Sequence, residues 1–382
     1  MLLIALFQRD KIRRLIVVNS LFDEENIVDN FQDMETLFPT YHIPQSSKPL
    51  TLERNIGYSF PDSFIHESEE YATKQFLDAT MTEGLLIMHR DTIIYEDYRL
   101  GLEQDEKHIS WSMSKSFIST SIGIAVENGQ LSISDQVTDH LPEFQGTGYD
   151  GVTVEDLLQM RSGVKFDEDY GDFNSDINRF GRAFALGTSY REFAKSLKNE
   201  VTPGSRCKYV SIDTQMLGFI LSQATGLSLS ELLYTQLWEP MGMEHDAAWI
   251  KDNTGFEMAL GGMVATLRDY AKLGLLYLHK GKLNGHQIVS PEWIVKATSI
   301  YDDGDLTDQS KNNNYGYGYQ WWIPPYSTGG FFAVGIYDQF IYVHPEKDLV
   351  IAKLSADHNF KTNGAAIKAR HISMFQEMAK HF

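Results

Sequence analysis

Strand-like sequence clusters near the two ends of this chain, and few folds can accommodate that separation. Leu85-Leu86-Ile87-Met88 and Thr92-Ile93-Ile94-Tyr95 flank a polar turn at Arg90-Asp91, the pattern of a β-hairpin. It recurs towards the C-terminus, where Phe340-Ile341-Tyr342-Val343 and Leu349-Val350-Ile351-Ala352 flank Pro345-Glu346-Lys347-Asp348, after a strand-like run at 331–334. The middle has a helical rhythm. Residues 112–127 read as a helix closed by Asn128-Gly129, where glycine can take the left-handed cap. Thr153-Val-Glu-Asp156 is a capping-box-like start for a helix ending at Ser162-Gly163. Further helices are expected over 213–224 and 229–237, stopping before Gly226 and Pro240, over 266–280, and as an amphipathic terminal helix over 364–381.

Upstream of the first hairpin, residues 23–37 are helix-compatible. Residues 39–62 carry Pro39, Pro44, Pro49 and Pro61 and read as an irregular connection. Sequence-distant strands can share one sheet, so the expected fold class is α+β. An antiparallel sheet would be built from about 84–98 and 331–355 and flanked by helices, with an all-helical region of about 112–280 inserted between its halves. A lead-in of 1–62 precedes the main body, 63–382.

Ser112-Met-Ser-Lys115 places a serine and a lysine three apart at an expected helix start. Such residues share a helix face, with Cβ atoms about 5–6 Å apart, so the amine can reach the hydroxyl. Free N–H groups at a helix N-terminus can also hold developing negative charge. The motif alone is weak. Ser205-Arg-Cys-Lys208 repeats it after Pro203-Gly204 without helical character, and a lone pair of this kind is usually a solvated face. Context separates the two, because the first follows Trp111 and opens a helix carrying Phe117, Ile118, Ile122 and Val126. A serine hydroxyl needs a base to attack. Lysine, with a free pKa of about 10.4, serves as one only when desolvated or set beside another cation. A tyrosine whose phenolate a lysine stabilises can share the proton. Tyr209, in Tyr209-Val-Ser211, is sited for this between a Pro-Gly loop and a helix, although a lone tyrosine is more often simply packed.

Composition narrows the alternatives. Thirty-three basic against 52 acidic residues give a formal charge of −19 over 382 residues. That charge repels phosphate backbones and anionic headgroups, so no nucleic-acid partner is expected. Its simplest meaning is solubility; a sharper one is a field that favours cationic substrates. Cys207 is the single cysteine, so no intrachain disulfide forms. The apolar start at 1–7 is followed, not preceded, by basic residues, the reverse of a signal peptide. No run of 18 uncharged apolar residues marks a membrane span, and a cytoplasmic location is expected. There is no G-x-S-x-G elbow, H-E-x-x-H or phosphate-binding loop. Glu244-His245-Asp246 has no partner at metal-ligand spacing, and Gly316-Tyr-Gly318 lacks a third glycine. No metal or other cofactor is expected. The aromatic run 315–322 reads as core or strand edge before substrate wall, and no feature fixes an oligomeric state.

Three stretches resemble, in order, the active-site elements of penicillin-recognising serine hydrolases: Trp111-Ser-Met-Ser-Lys-Ser116, Tyr209-Val-Ser211 and Gly335-Ile-Tyr-Asp-Gln339. Leu157-Leu-Gln-Met-Arg-Ser-Gly163, Glu168-Asp-Tyr170, Glu239-Pro-Met-Gly-Met243 and Gly261-Gly-Met-Val-Ala-Thr266 agree. The chain looks like the branch containing 6-aminohexanoate-dimer (nylon-oligomer) hydrolases and class C β-lactamase-like esterases. The resemblance implies a serine β-lactamase/transpeptidase-like fold. It implies that Ser112 is the acylated nucleophile, Lys115 its proton acceptor and Tyr209 the partner that protonates the leaving group. The backbone N–H groups of Ser112 and Ile336, the latter on a strand edge, would form the oxyanion hole. Tyr170, Tyr337 and Asp338 would bind substrate, Tyr170 through the leaving amide nitrogen.

Two departures from the family pattern matter. Ser211 replaces the asparagine of Tyr-x-Asn, and Gly335-Ile336-Tyr337 replaces Lys-Thr-Gly. Both argue for a small-molecule linear ester or amide over a β-lactam. Asp338 either caps a turn or sets a negative charge near the oxyanion hole, favouring cationic substrates. The alternatives are a cell-wall D-amino-acid peptidase, which would require export, and a non-catalytic sensor, whose hallmark would be a broken Ser/Lys/Tyr set.

Overall fold

The computed structural model describes residues 12–300, 315–324 and 329–382; the apolar start at 1–7 lies outside them. The main sheet contains Glu53–Arg54 (β1), Thr82–His89 (β2), Thr92–Tyr98 (β3), Gly316–Tyr317 (β4), Trp322–Ile323 (β5), Phe331–Gly335 (β6), Gln339–His344 (β7) and Leu349–Ser355 (β8). Their order is β4-β5-β6-β7-β8-β2-β3-β1. Arg90 and Asp91 take φ of 49° and 62°, giving β2 and β3 a two-residue turn whose twist matches theirs. The two predicted hairpins are joined where β8 pairs antiparallel with β2, Ile351 opposite Ile87.

The central strands are buried on both faces, which is why they read as continuous apolar runs rather than alternating ones. Leu85, Ile87, Phe340, Tyr342 and Ile351 pack on one side with Phe375 and Met378. The latter two belong to the terminal helix, Phe360–Ala379. Leu86, Met88, Ile341, Val350 and Ala352 join the larger core on the other side. The helices needed below are Lys115–Glu127 (α1), Val154–Leu158 (α2), Asp176–Leu186 (α3), Ser211–Thr225 (α4) and Leu267–Leu278 (α5), with Phe360–Ala379 as α6.

Several expectations are corrected. The sheet is mixed, because β1 runs parallel to β3. The inserted region is not all helical: Ala247–Ile250 and Met263–Ala265 pair with each other and with Thr40–Ile43 and His108–Ile109 in a second, four-stranded sheet. Two strands therefore lie within the proline-rich 39–62. Strands of two to four residues are too short for a period-2 pattern to register. The Thr153 capping box forms, but its helix ends at Leu158, and Met160 takes φ 55°. Helical backbone also continues past the expected stop at Pro240. A π-helical turn over Leu233–Trp238 leads into Glu239–Met241 with proline in its first turn, where a missing N–H costs little. The terminal helix begins at Phe360 rather than 364. Among the described residues no single helix is long and apolar enough to cross a membrane.

The lead-in is woven into the body, with Ile27, Phe31, Met34 and Phe38 all in the main core. On the sheet face turned to this same core α5 packs very closely. A Cβ built on Gly274 would lie 2.5 Å from Val350 Cγ1 and 3.0 Å from Ile341 Cγ2. Gly274→Ala gains about 1 kcal/mol of helix propensity but overpacks the interface at a cost of about 1–3 kcal/mol, so its thermal midpoint should fall. Val350→Ala removes the clashing methyl. The double variant should therefore be more stable than the two single losses predict, as read by denaturant titration.

Candidate active site

Ser112 stands where the second sheet hands the chain to α1. His108–Ile109 pairs with Met263–Ala265, and the Ser110 N–H donates to the Met263 carbonyl at 2.9 Å. Trp111 then takes φ 45°, a left-handed conformation costly for a bulky residue. A single 3-10 turn, Trp111–Ser114, leads into α1. This presents Ser112 at a helical N-terminus, where the first N–H groups have no helical partner. Gly335 closes the other side, since a Cβ there would lie 2.3 Å from the Ser110 carbonyl oxygen. Only glycine lets β6 end so close to the turn that carries Ser112. Ile336 lies just beyond the last ladder pair, Gly335 opposite Gln339, and lines the same pocket as Ser112.

Lys115 is 1% exposed. Its Nζ donates to Ser112 Oγ at 3.0 Å and to the Leu260 carbonyl. Burial lowers its pKa to about 7, opposed by the Glu168 and Asp213 carboxylates, which favour the ammonium. Tyr209 is half-buried and its ring centroid is 5.6 Å from Lys115 Nζ. The ring is fixed by stacking on Trp322 at 5.3 Å and by an edge contact with Tyr317 at 6.0 Å. The structure thus brings Lys115 against both Ser112 and Tyr209. The second motif stays apart: Lys208 pairs with Glu200 at 3.1 Å. The aromatic run contributes core, with Tyr317, Tyr319 and Trp321 almost wholly buried.

Two carboxyl groups at the site went without a role in the sequence. Glu168 accepts the Ser211 N–H on Oε1, and Ser211 Oγ at 3.2 Å and Tyr170 Oη at 3.0 Å on Oε2. Burial pushes its carboxyl pKa up while Lys115 pulls it down. Asp213, in the first turn of α4, is raised to about 8 by burial and accepts from Tyr149 Oη at 3.0 Å. The i, i+2 spacing of Glu168 and Tyr170 was a usable signal, since alternate residues of extended chain share a side. Asp213 offered none, because an acidic residue in a first turn is ordinary. Tyr170 lines the pocket, and its loop is held by Asn178 Nδ2, which donates to the carbonyls of Tyr170 at 3.1 Å and Asp172 at 2.8 Å.

Tyr337 and Asp338, expected at the substrate, are buried away from the pocket. Both take left-handed backbone, φ 60° and 71°, in the turn between β6 and β7, and their side chains enter the core. The Tyr337 ring meets Phe22 at 4.8 Å, Phe31 at 5.3 Å and Phe360 at 5.0 Å. Asp338 is 1% exposed, 3.9 Å from His371 Nδ1. Burial raises its pKa to about 8 against the pull of Lys353, and its carboxyl is not part of the pocket lining. Ile336, placed on a strand edge in the sequence reading, sits in that same turn.

The pocket encloses about 280 Å³. One wall comes from the lead-in, including Leu21, Phe22, Met34 and Phe38; Trp111, Phe180 and Leu260 face it. Phe22 and Phe31 also brace the site from behind. They contact Trp111 at 5.6 and 5.4 Å as well as Tyr337, so the neighbours of both Ser112 and Ile336 rest on lead-in rings.

Residues 74–372 match the Beta-lactamase family. A 6-aminohexanoate-dimer hydrolase of Paenarthrobacter ureafaciens is 31% identical over 293 residues, covering 74% of each chain. A solved structure from Bacillus anthracis, provisionally named a 6-aminohexanoate-dimer hydrolase, is similar with a TM-score of 0.84 at 22% identity, covering 94% of this chain and 95% of that one. A family VIII carboxylesterase structure is similar with a TM-score of 0.57 at 15% identity, covering 78% and 97%. The two structures share the fold, while the family match and the 31% identity show kinship. By these, and as its three motifs imply, the chain belongs to the β-lactamase family of penicillin-recognising serine hydrolases.

Proposed function

We propose that the chain hydrolyses a carboxylic ester or linear amide through an acyl-enzyme on Ser112. The observation that carries this is the 3.0 Å contact between Ser112 Oγ and a buried Lys115 whose pKa is lowered to about 7. An amine of that basicity is neutral in half or more of the molecules at neutral pH and can take the hydroxyl proton. As the proton leaves, Oγ bonds to the substrate carbonyl carbon. The carbonyl electron pair moves onto oxygen, which the N–H groups of Ser112 and Ile336 hold. Collapse breaks the bond to the leaving alcohol or amine, which Tyr209 protonates from the proton shared with Lys115. With an amide, Tyr170 hydrogen-bonds the departing nitrogen. A water then repeats the sequence on the acyl-enzyme, releasing the acid and free Ser112. Glu168 anchors Tyr170 to the start of α4 and biases the charge on Lys115.

Ser112→Ala should lower turnover of a p-nitrophenyl ester by about three orders of magnitude or more and abolish fluorophosphonate labelling; wild-type turnover in that variant would refute the assignment. A lasting adduct at Ser112 without turnover would mark a binding protein instead. Because the protonated amine cannot act as base, kcat/KM should rise as pH passes through about 7. Glu168→Gln removes an anion that favours the ammonium, so this limb should move to lower pH in a pH–rate profile. Gly335→Ala forces β6 off the Ser110 carbonyl and should cut kcat by about 10²-fold, with a smaller change in KM for a short ester.

A further inference from the structure

Among the described residues the pocket beside Ser112 is lined by two charged side chains, Arg182 and Lys361, both cationic. Acidic residues outnumber basic ones 52 to 33 in the chain, so this lining runs against composition. Each cation rests on an aromatic ring of the same pocket. The Arg182 guanidinium lies 3.8 Å from the Phe173 centroid, and Lys361 Nζ lies 5.1 Å from that of Phe22. A ring face orients a cation without cancelling its charge. Neither has an ion-pair partner among the described residues.

The neighbouring acidic residues lie outside the pocket lining. Asp167, Asp169 and Asp172 accept the N–H groups of Asp169, Gly171 and Asn174 at 3.0, 2.8 and 2.8 Å. Asp176 pairs with Arg179 at 2.6 Å, and Glu168 is engaged by Tyr170 and Ser211. The rest of the lining is mainly apolar, suited to an alkyl chain. An ammonium at the end of that chain would meet two cations and no counter-charge; a carboxylate would meet two cations. We propose that the substrate is a linear ester or amide whose apolar chain ends in an anionic group, with Arg182 and Lys361 as the specificity-determining residues. This rests on the hydrolase reading of Ser112 and runs opposite to the sharper of the two meanings of the net charge, a preference for cationic substrates.

The test uses matched esters that differ only in their end group, followed by pH-stat. Methyl hexanoate, monomethyl adipate and methyl 6-aminohexanoate carry the difference on the acyl side. Hexyl acetate and the O-acetyl esters of 6-hydroxyhexanoate and 6-aminohexanol carry it on the leaving side. On one side the carboxylate should be favoured over the ammonium by roughly tenfold in kcat/KM, shrinking in about 0.5 M NaCl. Combining Arg182→Gln with Lys361→Gln should bring that ratio close to one, whereas the distant Lys380→Gln should leave it unchanged. No carboxylate preference on either side, or a ratio that survives the double substitution, overturns the proposal. Should no ester react and Ser112 not label, the hydrolase reading fails separately. Calorimetry then still decides the pocket: adipate should bind and 1,6-hexanediamine should not, and the reverse would overturn the proposal.

Discussion

A helix buried on every side is the constraint from which the site follows. Residues Lys115 to Ala125 of α1 are all out of water, so each polar group among them needs a partner inside the protein. Ser116 Oγ donates to the Gln320 carbonyl at 2.8 Å, and Thr120 donates to the Ser116 carbonyl at 2.8 Å and shares a hydrogen bond with Tyr277 at 3.0 Å. Lys115 brings a charge into the same place. With burial working against the ammonium, the pKa of the amine falls in the same position that puts it on Ser112. Position and basicity therefore have one cause. Gln320 extends the constraint outward, its side chain accepting from Thr214 on α4 and donating to the carbonyls of Leu157 and Leu158 on α2.

What the sequence made legible were features with a local signature. The hairpins could be read because long apolar runs end in turn residues, and the Ser112/Lys115 pair because helical spacing alone brings them together. Illegible features depended on chain segments meeting from far apart. The second sheet takes its four short strands from around residues 40, 108, 248 and 264, none long enough to show a period. Tyr209 is oriented by Trp322, more than a hundred positions away. Glu168 stood inside a quoted motif, yet its role comes from Ser211 and Lys115. Pro240 shows a local rule overridden, because a wider turn before it lets the helix absorb a residue that normally ends one.

Charge shows the same division. Asp338 is two residues from Ile336 in sequence, and a left-handed turn is enough to send it into the core, where burial raises its pKa. The cations that do face the pocket come from α3 and α6, remote in sequence from each other and from Ser112. The overall acidity of the chain sets how the surface meets solvent. The few side chains that line the pocket set what a bound molecule meets at close range, within the distance that salt leaves least screened.

The family match begins at residue 74, while Phe22 and Phe31, well before it, brace the flanks of both Ser112 and Ile336. The stretch that matches the family is therefore shorter than the stretch that packs around Ser112 and Ile336. A segment that precedes the family match thus both supports the turn at Ile336 and walls the cavity beside Ser112.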